Sequence, residues 1–324
     1  MKFRTELPAF SLPEKIQPGD TIFLAGSCFT EHMGTYLGEH GFHILQNPHG
    51  IIFNPLSVER CIRDCTEARV YTENDFFQSA GIWHSWQHHS RFSALELPDA
   101  VQKVNDSIQE AHAFLREARW VVLTLGSSFV YHLTADDSAV ANCHKMPAQT
   151  FYKKMLDPIA AAASLERSVD MLRTFNPAVK ILLTVSPVRH AREGLVQNNR
   201  SKASLIYAVH SLCEQEENVF YFPSFELVND DLRDYRYFME DMVHPNRQAT
   251  EYVWMRFRES VLSERAQEMV KRVAPLQTAA AHKPFNPHSE DHARFRARNR
   301  EQLAALQRDF PEVYLSPVLQ SIQS

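Results

Sequence analysis

The stretch TIFLAGSCFTEHMGTYLGEHG, Thr21 to Gly41, decides the fold. It opens with Thr21–Ala25, a short β-rich apolar run of the kind a sheet buries on both faces, entered from the turn signal QPGD. After Cys28 the apolar residues Phe29, Met33, Tyr36 and Leu37 fall at helical spacing. A strand therefore hands over to a helix at Gly26-Ser27-Cys28. Two nucleophile-capable side chains, Ser27 and Cys28, stand side by side at that switch.

The same pattern recurs along the chain. FHILQNP reads as a second strand, and NPLSVERCIRDC as a helix with Pro55 at its start and Leu56, Cys61 and Cys65 along it. PDAVQKVNDSIQEAHAFLREA carries Val101, Val104, Ile108, Ala111 and Leu115 on one stripe and leads into the strand RWVVLTLGSS, which ends at Gly126. Then come a helix with Leu165, Val169 and Leu172, the strand ILLTVSP, a helix with Leu205, Val209 and Leu212, and the strand VFYFPSF. A last helix of this series, from Gln248 to about Glu264, turns Val253, Trp254, Phe257 and Val261 inward. Five apolar strands alternating with helices predict an α/β protein with a parallel sheet covered on both faces. In such sheets ligands sit beyond the carboxyl ends of the strands.

Residues 68–98 are rich in aromatics and histidines without a sustained period, and are expected to form an irregular insertion that supplies part of the site wall. Within it, residues 77–92 read either as substrate lining or as plain packing. APLQTAAAHKPFNPHSE reads as a connector and DHARFRARNREQLAALQRDF as a charged amphipathic helix. The expected organisation is thus an α/β domain over 1–275 and a helical extension over 276–324 packed on it.

A chain of 324 residues can bury a sizeable core. A net charge of -5 with scattered Lys and Arg supplies no field for phosphate backbones, so nucleic acid is not an expected partner. Five irregularly spaced cysteines argue against a disulfide framework and for a reducing cytoplasm. The N-terminus lacks an apolar signal core, and no run approaches the ~18 apolar residues of a membrane span. No Gly-rich dinucleotide or P-loop fingerprint occurs, so no cofactor is expected. His84, His88, His89 and His144 with Cys143 invite a zinc site, but no pair of spaced ligand couples is present, so no metal is expected.

The strand ends carry Gly26-Ser27-Cys28, NPHGIIFN (Asn47–Asn54), Gly126-Ser127-Ser128, SPVRH (Ser186–His190) and the late EDMVHPN. Only the last holds an acid and a base at fixed short spacing: Asp241 and His244, three apart, let a carboxylate orient an imidazole. His190 is a rival base, with no acid paired to it in the sequence reading.

A first-strand Gly with a nucleophile, a Gly after the second strand, another after the third, and a late Asp-x-x-His resemble the SGNH, or GDSL-type, hydrolase superfamily. More narrowly, GSCF at Gly26–Phe29 with NPHGIIFNP, TLGSSFVY, NCHK and SPVRH resembles the GSCFA domain family, a bacterial branch of that superfamily. The resemblance implies a flavodoxin-like α/β/α sandwich with a five-stranded parallel sheet in the order 2-1-3-4-5. It also implies acyl transfer through a covalent acyl-enzyme, with a small acylated molecule as substrate. His244 would be general base, Asp241 its orienter, and Gly50 the donor of an oxyanion-hole amide. Where the superfamily has Gly-x-Asn, this chain has Gly126-Ser127-Ser128, so Gly126 and Ser128 stand in that block and Asn54 or Asn142 are alternatives for the missing donor.

Aligning the glycines puts Cys28 in the nucleophile column. A literal reading of the superfamily's serine keeps Ser27 open. At a helix N-terminus the free amides are expected to lower the Cys28 pKa. Each residue also has a plainer role: Ser27 as a helix N-cap, Cys28 as a small buried side chain, and Asp241 and His244 as a surface turn before a helix. Two functions follow. One is an acyl-transfer enzyme acting on an O-acyl ester or thioester, as esterase or acyltransferase. The other is a non-catalytic module on the same fold that binds an acylated sugar or lipid head group.

Overall fold

The computed structural model describes residues 4–282, 285–286 and 288–322. Five parallel strands, β1 (Thr21–Gly26), β2 (His43–Gln46), β5 (Trp120–Leu125), β9 (Lys180–Val185) and β10 (Val219–Phe222), form one sheet in the order β10-β9-β5-β1-β2. Counting only these strands, that order is 2-1-3-4-5. Between them lie the short β3 (Phe77–Ser79) and β4 (Ile82–His84), a hairpin, and β6 (Phe129–Leu133), β7 (Ala139–Val140) and β8 (Phe151–Met155), a small antiparallel sheet.

Alternation along the strands sorts the core onto two faces. Ile22, Leu24, Trp120, Val122 and Leu182 point to one side. There they meet α1 (Cys28–Glu39), α7 (Arg247–Val261) and α8 (Glu264–Ala281). Phe23, Ala25, Val121, Leu123, Ile181 and Leu183 point to the other. That face is covered by α2 (Pro55–Thr66), α3 (Leu97–Glu117), α4 (Pro158–Phe175) and α5 (Leu195–Gln215). This three-layer α/β/α sandwich is what strands buried on both faces require. A one-turn α6 (Ser224–Glu226) follows β10.

The C-terminal part differs from the sequence expectation in one respect. APLQTAAA is no connector: α8 continues through Pro275 to Ala281, because Met269, Val270, Val273 and Leu276 keep a buried stripe on the first core. Residues 283, 284 and 287 of the expected connector lie outside the described residues. Beyond it, α9 (Glu290–Asp309) and α10 (Pro317–Gln320) bring Leu303, Leu306, Phe310 and Leu319 onto the same core.

Two close approaches shape the strand ends. At Gly26 the backbone turns with φ +146°, and a Cβ would come within 2.2 Å of the Thr124 carbonyl oxygen. At Gly126 a Cβ would meet the Phe53 Cβ at 2.8 Å. Glycine at 26 lets the turn out of β1 lie against the β5 backbone, and glycine at 126 lets the loop after β2 lie across the end of β5.

Candidate functional site

A cavity of about 400 Å³ opens at the carboxyl ends of β1, β5 and β9, lined by Ser27, Cys28, Phe53, Gly126, His190 and His244 among others. Its apolar wall is Ile51, Phe53, Val188 and Val243. None of residues 68–98 lines it, which corrects the expected wall. That segment stands one layer behind: His89 N–H donates to the His49 carbonyl at 2.8 Å and Arg91 to the Asn47 carbonyl, so it braces the loop that does line the cavity. Its aromatics pack on each other, Phe77 against Trp86 with ring centroids 3.6 Å apart.

Ser27 and Cys28 differ sharply in environment. Ser27 is the N-cap of α1, buried, with its Oγ accepting from Phe29 N–H at 3.3 Å and its own N–H donating to Thr124 at 3.1 Å. Cys28 is the first helical residue and is only half-buried. Burial pushes the Cys28 thiol up from its ordinary value, outweighing the favourable amides of Cys28 and Phe29 and the charge of Lys202, while Glu31 pushes in the same direction as burial. The expected lowering at the helix N-terminus is therefore reversed, because desolvation of a thiolate costs more than two amides return.

His244 and Asp241 form one tight turn. Asp241 Oδ1 accepts from Val243 N–H at 2.9 Å and from His244 N–H at 3.0 Å, and Oδ2 lies 2.7 Å from His244 Nδ1. The His244 and Val243 amides and the imidazole hold the Asp241 carboxyl down at about 2. With Nδ1 engaged, Nε2 is the ring nitrogen left for the cavity. The turn is tied to the loop after β9, where Arg189 N–H donates to the Val243 carbonyl at 3.1 Å and the Arg189 guanidinium lies 4.0 Å from the Phe238 ring centroid. Asn246 caps α7 directly afterwards, so the plain helix-start role is present too.

His190 has an acid close by, Glu193, three residues on, with its Oε2 2.9 Å from Nε2, but the angles do not make a hydrogen bond of the contact. Burial first, then the charges of Lys153, Lys202 and Arg192, push the His190 pKa down to about 4.

Of the five oxyanion-hole candidates only Gly126 lines the cavity, and its amide donates to the Phe53 carbonyl at 2.8 Å. Gly50 donates its amide to Asn47 at 2.7 Å in a turn. Asn54 caps α2 through Ser57. Ser128 is buried against Ser201, and Asn142 accepts from the His144 amide at 2.8 Å. Their hydrogen bonds are spent on holding loops rather than on the cavity.

The residue missed by the sequence reading is Lys202. It is fully buried beneath the cavity floor, its Nζ donating to the Gly126 carbonyl at 2.5 Å and to the Ser186 carbonyl at 2.6 Å. Burial pushes its pKa down to about 7, against an upward pull from Cys28. The signal was available, since Asn198, Ser201, Lys202 and Leu205 lie on the buried stripe of α5, and a lysine on such a stripe needs a polar reason to be there.

No helix among the described residues is long and apolar enough to cross a membrane. No curated protein matches the chain. Among solved structures, a carbohydrate esterase family 3 protein from Talaromyces cellulolyticus superposes with TM-score 0.38 at 9% identity, covering 79% of this chain and 99% of that one. An acetyl xylan esterase (Est2A) from the rumen bacterium Butyrivibrio proteoclasticus superposes with TM-score 0.36 at 12% identity, covering 84% of this chain and 66% of that one. The C-terminal domain of GSCFA domain proteins matches residues 273–324. The GSCFA family itself matches residues 21–257, well over half of the sequence, and the chain belongs to that family.

Proposed function

We propose that this protein is an acyl-transfer enzyme that takes an acyl group from an O-acyl ester or thioester onto Cys28. The observation that carries the reading is the sharing of one 400 Å³ cavity by Cys28, at a helix N-terminus, and His244, whose Nδ1 is fixed by Asp241. Because burial holds Cys28 as a thiol, attack requires a base. His244 Nε2 takes the Sγ proton as sulfur bonds to the acyl carbon, and returns it to the leaving alkoxide or thiolate when the tetrahedral intermediate collapses. Asp241 holds the ring in the tautomer that presents Nε2 and stabilises the imidazolium.

Charge developing on sulfur and on the substrate oxygen faces the first amides of α1 and the Lys202 ammonium below the floor. Lys202 does this without touching substrate, by keeping the Gly126 and Ser186 carbonyls turned away from the cavity. The apolar wall suits the acyl chain. Whether water or an alcohol then attacks the acyl-enzyme is decided by the acceptor, so hydrolysis and transfer are both open to this site.

The test is to incubate the protein with p-nitrophenyl acetate and with an acetyl thioester, and to locate the acyl group by peptide mass spectrometry. Acylation at Cys28, lost in Cys28→Ala and intact in Ser27→Ala, is the expected result. Acylation at Ser27 overturns the choice of nucleophile. No acylation by either donor, with Cys28 also inert to iodoacetamide, leaves the binding module as the reading to keep.

A further inference from the structure

A second cluster of chemically capable side chains lies outside the cavity, in the core behind its loop. Cys61 and Cys65 sit one turn apart on the buried face of α2, and a ring nitrogen of His49, from the loop after β2, comes within 4.8 Å of both sulfurs, which are within 4.8 Å of each other. All three residues are fully buried. Neither ring nitrogen of His49 completes a hydrogen bond of good geometry, the backbone of Gln87 being the neighbour that favours its protonated form against burial. A buried imidazole left with both nitrogens unmade is costly, and such a group calls for an explanation.

We propose that His49, Cys61 and Cys65 bind a thiophilic divalent metal ion of the zinc class. A tetrahedral centre with bonds of about 2.0–2.3 Å places its ligand atoms roughly 3.5–3.8 Å apart, so the three groups close on an ion with shifts of about 1 Å or less. Two thiolates and a neutral imidazole cancel the charge of a divalent cation. A neutral complex is what a dry core tolerates, where a net charge would carry a large desolvation penalty. Binding releases the two thiol protons to solvent, and nothing is oxidised or reduced.

The surroundings fit a ligand histidine. Asp64 Oδ2 lies 3.6 Å from His49 Nε2, the place of the carboxylate that commonly backs a metal-bound imidazole. Asp64 is itself fixed by Arg60 Nε at 2.9 Å and by the Tyr71 hydroxyl at 2.6 Å. His88 packs beside His49 with ring centroids 4.1 Å apart and its Nδ1 bonded to Ser85 Oγ, outside the converging set, so the protein supplies three ligands from His49, Cys61 and Cys65. The ion would join α2 to the loop that carries Ile51 and Phe53 into the cavity, and so would set the floor contact from Phe53 to Gly126 and Ser127.

The test uses tag-free, full-length protein, unfolded with a chelator, desalted, and refolded with one equivalent of Co²⁺ or Zn²⁺. Expected are one bound ion per chain by elemental analysis, near-ultraviolet thiolate-to-cobalt absorption for two sulfur ligands, and a higher thermal midpoint with Zn²⁺ than without. Cys61→Ser/Cys65→Ser should abolish the absorption and the midpoint shift. If that variant does not fold, His49→Gln should weaken Co²⁺ binding by about 10-fold or more and change the visible bands. Wild-type protein that refolds without taking up Co²⁺, or takes it up with no thiolate absorption, overturns the proposal. So does binding that neither variant disturbs.

Discussion

Two histidine–carboxylate pairs face the Cys28 cavity, and they are built in opposite ways. His244 and Asp241 stand on its lip, their side chains 42% and 47% exposed, with the carboxylate fixed by two backbone amides as well as the ring. His190 and Glu193 lie deeper, at 23% and 19%, among Lys153, Lys202 and Arg192, and Lys153 also bonds Glu193. A carboxylate at short range is therefore not enough to make a base. An imidazole gains a proton when the whole environment favours the cation, and three positive neighbours in a desolvated site oppose it. The contrast supports the proposed role of His244 as proton acceptor and leaves His190 a neutral imidazole in the cavity wall.

Replacing the two histidines breaks the comparison most directly. His244→Ala should lower kcat/KM of acyl transfer by about 10²–10⁴-fold, the usual range for loss of a general base, with folding little changed because the side chain is exposed. His190→Gln should cost far less, about 10-fold or below, and mainly in KM. The reverse ranking would assign the base to His190. The pH profile separates them independently: an acid limb near pH 4 would mark His190 as the titrating base, and a limb well above that excludes it. Asp241→Asn should also reduce kcat, since the amide cannot stabilise the imidazolium.

Lys202 sharpens the contrast from below, since its charge both weakens His190 as a base and supports the thiolate. Its folded pKa of about 7 lies below the ~10.4 of an unfolded lysine. The unfolded chain thus binds more protons between those values, and the contribution of Lys202 to stability rises as pH climbs through that window. Urea unfolding at pH 7 and pH 9.5 should show wild type gaining on Lys202→Met as pH rises, and parallel curves would refute the shift. At pH 7 the variant leaves the Gly126 and Ser186 carbonyls without their donor, a loss of about 1–3 kcal/mol each, partly offset by removing the buried charge.

The parallel sheet was legible because its strands are apolar on both faces and its helices carry regular stripes, signals that survive without tertiary information. The β3–β4 hairpin and the β6–β8 sheet were not, being short and mixed in polarity, with shape set by packing such as Phe77 on Trp86. The Asp241–His244 turn could be read from spacing alone, and the His190–Glu193 pair has the same spacing with the acid second. What escaped was long-range. No local pattern says that Phe53 will consume the Gly126 and Ser127 amides, or that burial at Cys28 will exceed the pull of a helix N-terminus. Lys202 lay between these cases, visible as a lysine on a buried stripe but without a visible partner.

Ser27 carries the smallest expected effect and tests the nucleophile assignment from the other side. Its hydroxyl accepts from Phe29 N–H at the start of α1 and it is buried beneath the turn that exposes Cys28. Ser27→Ala removes one cap, which should cost about 1 kcal/mol of stability. It should leave the acylation rate of Cys28 within a few-fold of wild type, since the amides that face sulfur belong to Cys28 and Phe29. Asp at this position offers a cap acceptor but sets a carboxylate in a buried place beside the thiol, so Ser27→Asp should lose stability to desolvation and slow acylation by opposing the thiolate. Equal rates in both variants would mean that no thiolate forms in the rate-determining step. Loss of acylation in Ser27→Ala together with normal unfolding would move the nucleophile from sulfur to oxygen.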